Sequence, residues 1–469
     1  MSRVNSNIPS ITAQRVLNMQ NAKLNTTLQR LSTGVRINSG KDDPAGLIAS
    51  DRLRAEQRAI QAAQTNVARA INVVSVAEGG LSEITSLLND LEDLIDRSSN
   101  EAGLSDDERA ANQLEIDGIL SSIDRIAAST ELQGKKLLGG ALAYTTSTVS
   151  AANIASLQLN SVRIPQGGKR QVSVKVTTAA SQAIVSYTGG AIGATPVTIE
   201  VTGNLGTERI TLASASLANV ASAIAQSRDL TGVSATVAST TVRIRSIDYG
   251  SSQFVKVRVL SGTFTMAGSG TDYGNDVKAN VNGQTITGDG LKLTTRTTVL
   301  DANMTLAAAF GSVTTGGTTR FGVTGGGGNF TVAPSLDLNS LASLGISSID
   351  TTLLGDSSTG FLYTLGTGQT NSVTSGNYYT AQRVVRTALS QVASLRGRLG
   401  SFERNTLNTT ANSLKIQYEN VTAAESFIRD ADFAEETSTL TRAQILVQSA
   451  SMVLKLANAA PQAVLSLLS

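Results

Sequence analysis

The chain has 469 residues, enough for roughly two to four domains, and a formal net charge of +2. It contains no cysteine, histidine or tryptophan. These absences exclude disulfides, thiol nucleophiles, the usual zinc sites and Ser–His or Cys–His hydrolases. Aspartate or glutamate chemistry remains possible, so composition disfavours catalysis without excluding it. The interspersed charges offer no basic stripe for nucleic acid, and no apolar run reaches the roughly 18 residues that a membrane span requires.

The first ten residues contain no apolar stretch of the kind found in a cleavable secretory signal. Two interpretations remain open at this point. The protein either stays in the cytoplasm or leaves the cell by a route that reads another signal.

Composition changes twice along the chain. Glycine is concentrated between 145 and 375, whereas the flanks are richer in charge and carry helical patterns. Because glycine costs roughly 1 kcal/mol at each helical position, the change indicates a different fold type in the middle. We predict an α+β multidomain protein whose long terminal helices pair as a coiled-coil rod around a β-rich insert. The predicted segments are an inner helix 1–43, a rod 44–143, an insert 144–376 with two subdomains divided near 265–280, a rod 377–432 and an inner helix 433–469.

An unbroken 3–4 spacing of apolar residues predicts a long rod-like helix over 44–99. Asp43 is placed to cap this helix and Pro44 to occupy its first position. At 1.5 Å per residue it would be about 84 Å long. Gly79 and Gly80 lie inside the pattern and weaken it locally. The repeating residues are Ile60, Ala63, Val67, Ala70, Val74, Ala77, Leu81, Ile84, Leu88, Leu91 and Ile95.

Two further helices are predicted in the rod. The first begins with a capping box formed by Ser105 and Glu108 and buries Ile116, Leu120, Ile123 and Ala127. The second runs from near Tyr379 to near Phe427. Its apolar spacing continues through Val385, Ala388, Val392, Leu395, Leu399 and Phe402, turns polar at Thr406, Thr409 and Ser413, and resumes at Ile416. These polar layers either set the register or form a wet section of the bundle.

The extreme ends, residues 4–36 and 434–467, are amphipathic and carry few charges. Their apolar residues include Leu17, Leu24, Leu28 and Leu31 at one end and Leu440, Val447 and Leu454 at the other. A closed two-helix hairpin is one explanation. Two helices cannot cover both faces of such segments, however, so we expect burial against other molecules.

The middle alternates strictly between apolar and polar residues. Strands are predicted at 172–176, 197–201, 242–245 and 257–259, with a short helix at 217–224. Residues 196–262 therefore form a predicted ββαββ unit, and further strands follow over 277–332.

Candidate chemical sites have simpler explanations. The glycine run 325–328 is followed by neither Lys-Ser/Thr nor a helix start, so it predicts a turn and not a phosphate cradle. The acidic pairs Asp42–Asp43 and Asp430–Asp432 are predicted to lie at helix starts, where aspartate caps backbone N–H groups. No catalytic residue, metal site or cofactor is predicted.

Both ends resemble bacterial flagellin. The resemblance is carried by LQRLSTGVRINS at 28–39 and KDDPAG at 41–46, and by ENVTAAESFIRDAD at 419–432, QILVQSA at 444–450 and PQAVL at 461–465. It implies a structural subunit that polymerises with copies of itself into the flagellar filament. The outermost segments would form the inner core, the next helices an outer layer, and the insert would face solvent.

The resemblance also implies export, unfolded, through the flagellar type III apparatus to the extracellular filament. The terminal segments would then fold on assembly, and part of the free energy of the subunit contacts would offset the entropy lost in that folding. A contact that repeats from one subunit to the next without closing into a ring builds an open helical filament. The implied partners are other copies, an export chaperone, the filament cap and the hook-junction proteins, with no nucleic acid and no membrane.

Individual residues take roles only through this resemblance. The implied assembly contacts, which act in packing and register, are Leu28, Leu31, Arg36, Asn38, Asp43, Ile428, Asp432, Leu446, Leu454 and Leu465. Pro44 stands where the family often has alanine.

A face recognised by a Toll-like innate receptor in many flagellins corresponds here to Leu88, Asn89, Asp90, Glu92, Leu94 and Glu115. Asp90 and Glu92 stand where activating flagellins carry arginines. A receptor surface that binds arginines would repel these carboxylates, so we expect weak or absent receptor activation.

Two alternatives stay open. The hook–filament junction protein shares the terminal architecture, although the Gln-Ala type of C-terminal ending favours the filament subunit. The insert, in turn, is a candidate adhesin or carbohydrate-binding module.

Overall fold

A computed structural model describes residues 6–100, 103–165, 168–314, 317–335, 337, 340–356 and 359–465. The chain divides into two compact units. One comprises Met1–Arg69, Thr331–Leu336 and Leu407–Ser469, and the other Ala70–Phe330 and Asp337–Thr406. Each unit is described by itself.

The described helices follow the predicted pattern at both ends. They are α1 Ile8–Thr33, α2 Pro44–Ser98, α3 Asp106–Ser129, α4 Leu217–Gln226, α5 Arg228–Thr231, α6 Ala308–Gly311, α7 Tyr378–Phe402, α8 Thr409–Arg429 and α9 Phe433–Leu465.

The strands lie between α3 and α7. They are β1 Glu131–Leu132, β2 Lys135–Lys136, β3 Tyr144–Ser147, β4 Ile154–Val162, β5 Arg170–Thr178, β6 Ile184–Tyr187, β7 Val197–Thr202, β8 Thr207–Leu212, β9 Val233–Ala238, β10 Thr241–Ser246, β11 Phe254–Ser261, β12 Met266–Ala267, β13 Thr271–Tyr273, β14 Lys278–Val281, β15 Gln284–Thr287, β16 Lys292–Arg296, β17 Leu300–Leu306, β18 Thr318–Gly326, β19 Gly328–Thr331, β20 Leu341–Leu344, β21 Gly355–Asp356 and β22 Gly360–Phe361.

Helix α2 forms as its local signals predict. The carboxylate of Asp43 accepts the backbone N–H of Gly46 at 2.9 Å, which caps the helix, and Pro44 occupies the first position. The 55 residues extend over about 82 Å. Every residue of the predicted heptad pattern from Ile60 to Ile95 is buried. The predicted seam is therefore confirmed.

The glycine pair inside α2 does not interrupt the helix. A Cβ on Gly80 would lie 2.7 Å from Oγ1 of Thr130 and 2.9 Å from Cδ1 of Leu138, whereas a Cβ on Gly79 would meet nothing within 4 Å. Gly80 thus allows α2 to approach the segment after α3 closely, which offsets its low helix propensity. Ser105 and Glu108 form the predicted capping box of α3, and its four predicted core residues are buried.

The predicted polar layers beyond α7 are wrong. A π-helical turn, Glu403–Asn408, joins α7 to α8. A π turn contains an extra residue, so it shifts the buried positions along the helix. Leu407 and Leu414 are buried in place of Thr406, Thr409 and Ser413, and Ile416, the residue where the apolar seam was expected to resume, is exposed.

The strands predicted at 172–176, 197–201, 242–245 and 257–259 lie within β5, β7, β10 and β11, and the short predicted helix within α4. They fold around two separate cores. One core is formed by residues between Ala183 and Phe264, under a β12-β6-β10-β9 sheet and a β13-β11-β7-β8 sheet. The other is formed by residues between Ile154 and Ala180 and between Val277 and Val323.

The second core lies under a β15-β14-β5-β18-β3 sheet and a β16-β17-β4 sheet. The chain thus passes between the two cores twice, once after Ala180 and once before Val277. Sequence analysis placed a boundary only near 265–280, and the division into domains stays a prediction. The α+β class, with helical ends and a β-rich middle, is confirmed.

Candidate functional site

The terminal helices α1 and α9 pack as an antiparallel pair. Near the start of α1, Nδ2 of Asn7 donates to the carbonyl of Ala457 at 2.8 Å. At the other end, Nη1 of Arg30 donates to Oε1 of Glu436 at 3.0 Å. The pair buries mostly small side chains, namely Ala13, Thr27, Ala443 and Ala450. Small residues allow close contact but bury little apolar area.

Large apolar side chains of the pair remain exposed. Pro9, Val16, Leu446 and Val453 are among the residues that line an open groove of about 580 Å³ between the two helices. The large apolar residues of α1 and α9 that are exposed over at least two fifths of their surface include Ile8, Ile11, Met19, Leu28, Phe433, Ile445, Leu446, Met452, Val453 and Leu456. Exposed apolar surface on this scale marks an interaction site. None of the described helices combines the length and apolarity needed to cross a bilayer.

The loop after α1 and the loop before α9 are joined by backbone hydrogen bonds. The N–H of Arg36 donates to the carbonyl of Arg429 at 2.6 Å, and the N–H of Ala431 donates to the carbonyl of Gly34 at 3.0 Å. Gly34 adopts a left-handed conformation, with φ of 72°, that ends α1. These bonds hold the N- and C-terminal segments together at one point.

Side chains reinforce this junction. Nη2 of Arg36 donates to the carbonyl of Ile428 at 2.8 Å, and Nδ2 of Asn38 donates to the carbonyl of Val35 at 3.1 Å. The N–H of Ser39 lies 2.9 Å from Oδ2 of Asp42, and this hydrogen bond is the main reason that the pKa of Asp42 lies below its ordinary value. Arg36 thus joins the two segments, whereas Asn38 holds only the loop after α1, and the part of both residues in subunit contacts stays a prediction.

The acidic pairs serve as caps and turn anchors. Asp43 caps α2, and Asp432 accepts the N–H of Ala434 at 2.8 Å at the start of α9. Asp430 differs from the prediction, since it follows the C-terminal end of α8, where its carboxylate accepts from Ser426. The described residues contain no group of three or more acidic side chains arranged to hold a metal ion.

The remaining resemblance-based contacts differ in their exposure. Leu28 and Leu446 are 45% and 42% exposed and are free to meet another molecule. Leu31, Ile428 and Leu454 are half-buried, and the side chain of Leu465 lies outside the described residues. Sequence analysis missed Phe427 and Phe433, which are 88% and 60% exposed on either side of the loop before α9. The sequence did offer a signal for them, because both phenylalanines lie close to the aspartates Asp430 and Asp432 that mark the loop.

A polar seam joins the first part of α2 to α8. Nε2 of Gln61 donates to the hydroxyl of Tyr418 at 3.0 Å. Farther toward the start of α2, Ser50 and Arg54 both contact Oε1 of Glu425, at 3.1 and 3.3 Å. These polar contacts between α2 and α8 add to the apolar heptads, whose residues Ile60, Ala63 and Val67 are buried in the same part of α2.

The residues of the receptor-like face differ in accessibility. Leu88 and Leu94 are buried within the chain, whereas Asn89, Asp90 and Glu115 are exposed. The half-buried Glu92 accepts from Nε of Arg386 at 2.7 Å. The hydrogen bond that Arg386 donates to Glu92 is the main cause that raises the pKa of Arg386.

Comparison with known proteins matches both ends of the chain to family models. Residues 4–143 match the bacterial flagellin N-terminal helical region, and residues 383–468 match the bacterial flagellin C-terminal helical region. B-type flagellin of Pseudomonas aeruginosa is 32% identical over 495 residues, covering 99% of each chain. Flagellin C of Vibrio anguillarum is 29% identical over 467 residues, again covering 99% of each.

Two solved structures match this chain with low scores. FliC from Burkholderia pseudomallei has 16% identity and a TM-score of 0.24, and it is matched over 72% of this chain and 99% of its own. The junction protein FlgL from Legionella pneumophila has 13% identity and a TM-score of 0.29 over 82% and 100%. The full-length sequence relatives, which are flagellins, favour a filament subunit over a junction protein.

Three findings point to the same family. They are the paired helical ends with exposed apolar faces, the two matched terminal regions and the full-length relatives. This chain belongs to the bacterial flagellin family and is an exported structural subunit of the flagellar filament.

Proposed function

We propose that the exposed apolar face of the α1–α9 pair is the surface through which copies of this chain contact one another in the filament. The observation that carries the proposal is the mismatch within the pair. Its fully buried apolar residues are alanines and its inner leucines are only half-buried, whereas large residues such as Ile11, Leu446 and Leu456 are exposed. Neighbouring copies would remove this apolar area from water, and that burial would supply most of the assembly free energy.

A charge substitution on this face tests the assembly role. Leu446→Asp would place an unpaired carboxylate in a subunit contact and would strongly reduce the polymer that sediments from a solution of monomers. Leu230→Asp is the matched control, because Leu230 is also exposed but lies in the insert. Equal loss of polymer in both variants, or in neither, contradicts the proposal.

The proposed assembly couples to folding of the terminal helices. Helices whose mutual contact buries mainly alanine and threonine gain little stability from each other, so neighbouring copies would supply the rest. Limited proteolysis of monomer and filament tests this point. Residues 6–40 and 435–465 should be cleaved readily in the monomer and resist cleavage in the filament, and equal protection in both states argues against it.

Further partners are proposed on the same surfaces. An export chaperone, the filament cap and the hook-junction proteins would each engage terminal helices whose apolar faces are still uncovered. Removing residues 433–469 should abolish co-purification with these proteins, while removing 150–370 should leave it unchanged.

We also propose that recognition by the Toll-like receptor is weak or absent, and that the chain catalyses no reaction, since it offers neither cysteine nor histidine for catalysis.

A further inference from the structure

The insert contains a sheet face whose charge is one-sided. In the β12-β6-β10-β9 sheet, Val242 and Ile244 of β10 are buried in the core, so the alternate residues Arg243 and Arg245 lie on the outward face. Arg243 is exposed and Arg245 is half-buried. β10 is a central strand, so both arginines lie in the middle of the face and not at its rim.

Small hydroxyl residues surround the arginines. Arg243 is paired across the sheet with Ser186 on β6 and Thr236 on β9. Arg245 is paired with Ile184 and Ser234 in the same way. Residues that are paired across antiparallel strands share one face of the sheet, so three hydroxyls flank the two guanidinium groups.

No acidic residue balances this charge within the four strands of the sheet, all of which the structure describes. The carboxylate of Asp272, on the other sheet, accepts the backbone N–H of Ile184 at 2.7 Å. Within the described part of the chain, neither Arg243 nor Arg245 forms an ion pair. Nη2 of Arg245 donates to Oγ1 of Thr236 at 3.2 Å, and its buried Nε has no hydrogen-bond partner among the described residues.

The β13-β11-β7-β8 sheet of the same core is different. There the cross-strand neighbours of Glu200 are Arg258 and Arg209. Arg258 makes two hydrogen bonds of 3.1 Å to the carboxylate of Glu200. The uncompensated arginines are therefore a property of one sheet and not of the insert as a whole.

We propose that this arginine face, consisting of Arg243 and Arg245 with Ser186, Ser234 and Thr236, binds acidic polysaccharides. Alternate residues along a strand have Cα atoms about 7 Å apart, so the two guanidinium groups can engage successive carboxylates or sulfates of a polymer. The hydroxyls supply donors and acceptors for sugar hydroxyl groups. Tyr187, the aromatic residue of β6, is buried against Phe264, so it offers no ring for stacking the bases of nucleic acid.

Filament assembly strengthens a weak site. Every subunit carries one arginine face, so a filament presents many copies to one polymer chain. Simultaneous contacts raise the effective affinity far above that of a single face. We therefore expect clear binding by filaments and weaker binding by monomers.

The test uses the full-length chain, as monomer and as filament, on immobilised dextran sulfate, polygalacturonate and neutral dextran at about 0.15 M NaCl. The first two probes distinguish sulfates from carboxylates. Wild-type filaments should bind at least one acidic polymer and not neutral dextran. The Arg243→Gln/Arg245→Gln variant should lose at least about tenfold in affinity, because two charge-assisted contacts are removed.

The matched control removes the same charge from the other sheet. In the Arg209→Gln/Lys256→Gln variant, both altered residues are exposed and the net charge falls by the same amount, so affinity should stay within about twofold. Equal loss in both variants would mean that general charge attracts the polymer, which overturns the proposal. Failure of wild-type filaments to bind, or equally tight binding to double-stranded DNA, overturns it too. Should the double variant misfold by circular dichroism, Arg243→Gln alone, at an exposed position, must still weaken binding severalfold.

Discussion

Nη1 of Arg30 on α1 lies 3.0 Å from Oε1 of Glu436 on α9, and the Glu436 side chain is only 11% exposed. This ion pair lies near the end of α1 and the start of α9, beside the loops that backbone hydrogen bonds hold together. It thus sets the register of the antiparallel pair at that end. A mostly buried carboxylate requires such a partner, because an uncompensated buried charge is costly.

Breaking the pair from the arginine side should destabilise the terminal helices. Arg30→Gln leaves Glu436 without its cation and should cost about 1–3 kcal/mol. The measurement is the temperature at which filaments dissociate. A double-mutant cycle with Glu436→Gln isolates the coupling, and additive losses in that cycle would show that the two side chains do not interact.

The glycine pair inside α2 provides a matched comparison. Gly80→Ala places a Cβ less than 3 Å from atoms of Thr130 and Leu138, and such overpacking should cost about 1–3 kcal/mol. Gly79→Ala meets nothing within 4 Å and should stabilise the helix by up to about 1 kcal/mol. Urea unfolding of the two variants gives both values, and the close approach at Gly80 would be refuted if both changes proved stabilising.

Because the pKa of Asp276 is lowered, we predict that the insert loses stability in acid. Its burial raises the pKa, but hydrogen bonds from the hydroxyl of Ser251 and from the N–H groups of Gly290 and Ser251 outweigh burial and lower the pKa below 3.8. A lowered pKa in the folded state contributes stability above about 3.8, and this contribution disappears as the pH falls through the folded-state pKa.

Asp276→Asn should therefore lower stability at neutral pH by about 1–2 kcal/mol and weaken the acid dependence below pH 4. Unfolding followed by circular dichroism at several pH values measures this. Asp289→Asn, at an exposed position in the neighbouring turn, is the control and should preserve the acid dependence. An unchanged pH profile in Asp276→Asn would rule out the linkage.

The receptor hypothesis predicts a gain of function. In Asp90→Arg/Glu92→Arg the two acidic residues of the receptor-like face become basic, which should raise the response of reporter cells at least about tenfold. Glu92 also pairs with Arg386, so Arg386→Glu is added to restore that ion pair with reversed polarity. Wild-type protein that already activates as strongly as an activating flagellin would contradict the hypothesis.

The sequence by itself determined the features that depend on neighbouring residues. Helix caps at Asp43 and Ser105 are local hydrogen bonds, and the heptads of α2 repeat with the period of the helix, so both could be derived from spacing. Alternation likewise placed β5, β7, β10 and β11 of the insert. The family followed from residue motifs at both ends and not from periodicity.

The tertiary structure decided what depends on residues far apart in sequence. The π turn at 403–408 buries Leu407 and Leu414 because packing selects the register, which the heptad count alone misassigned. The role of Gly80, which is to allow close packing, depends on Thr130 and Leu138, and these residues become its neighbours only in the folded chain. The arginine face arises only when β6, β9 and β10 meet in one sheet, since strand pairing, and not strand pattern, decides which side chains share a surface.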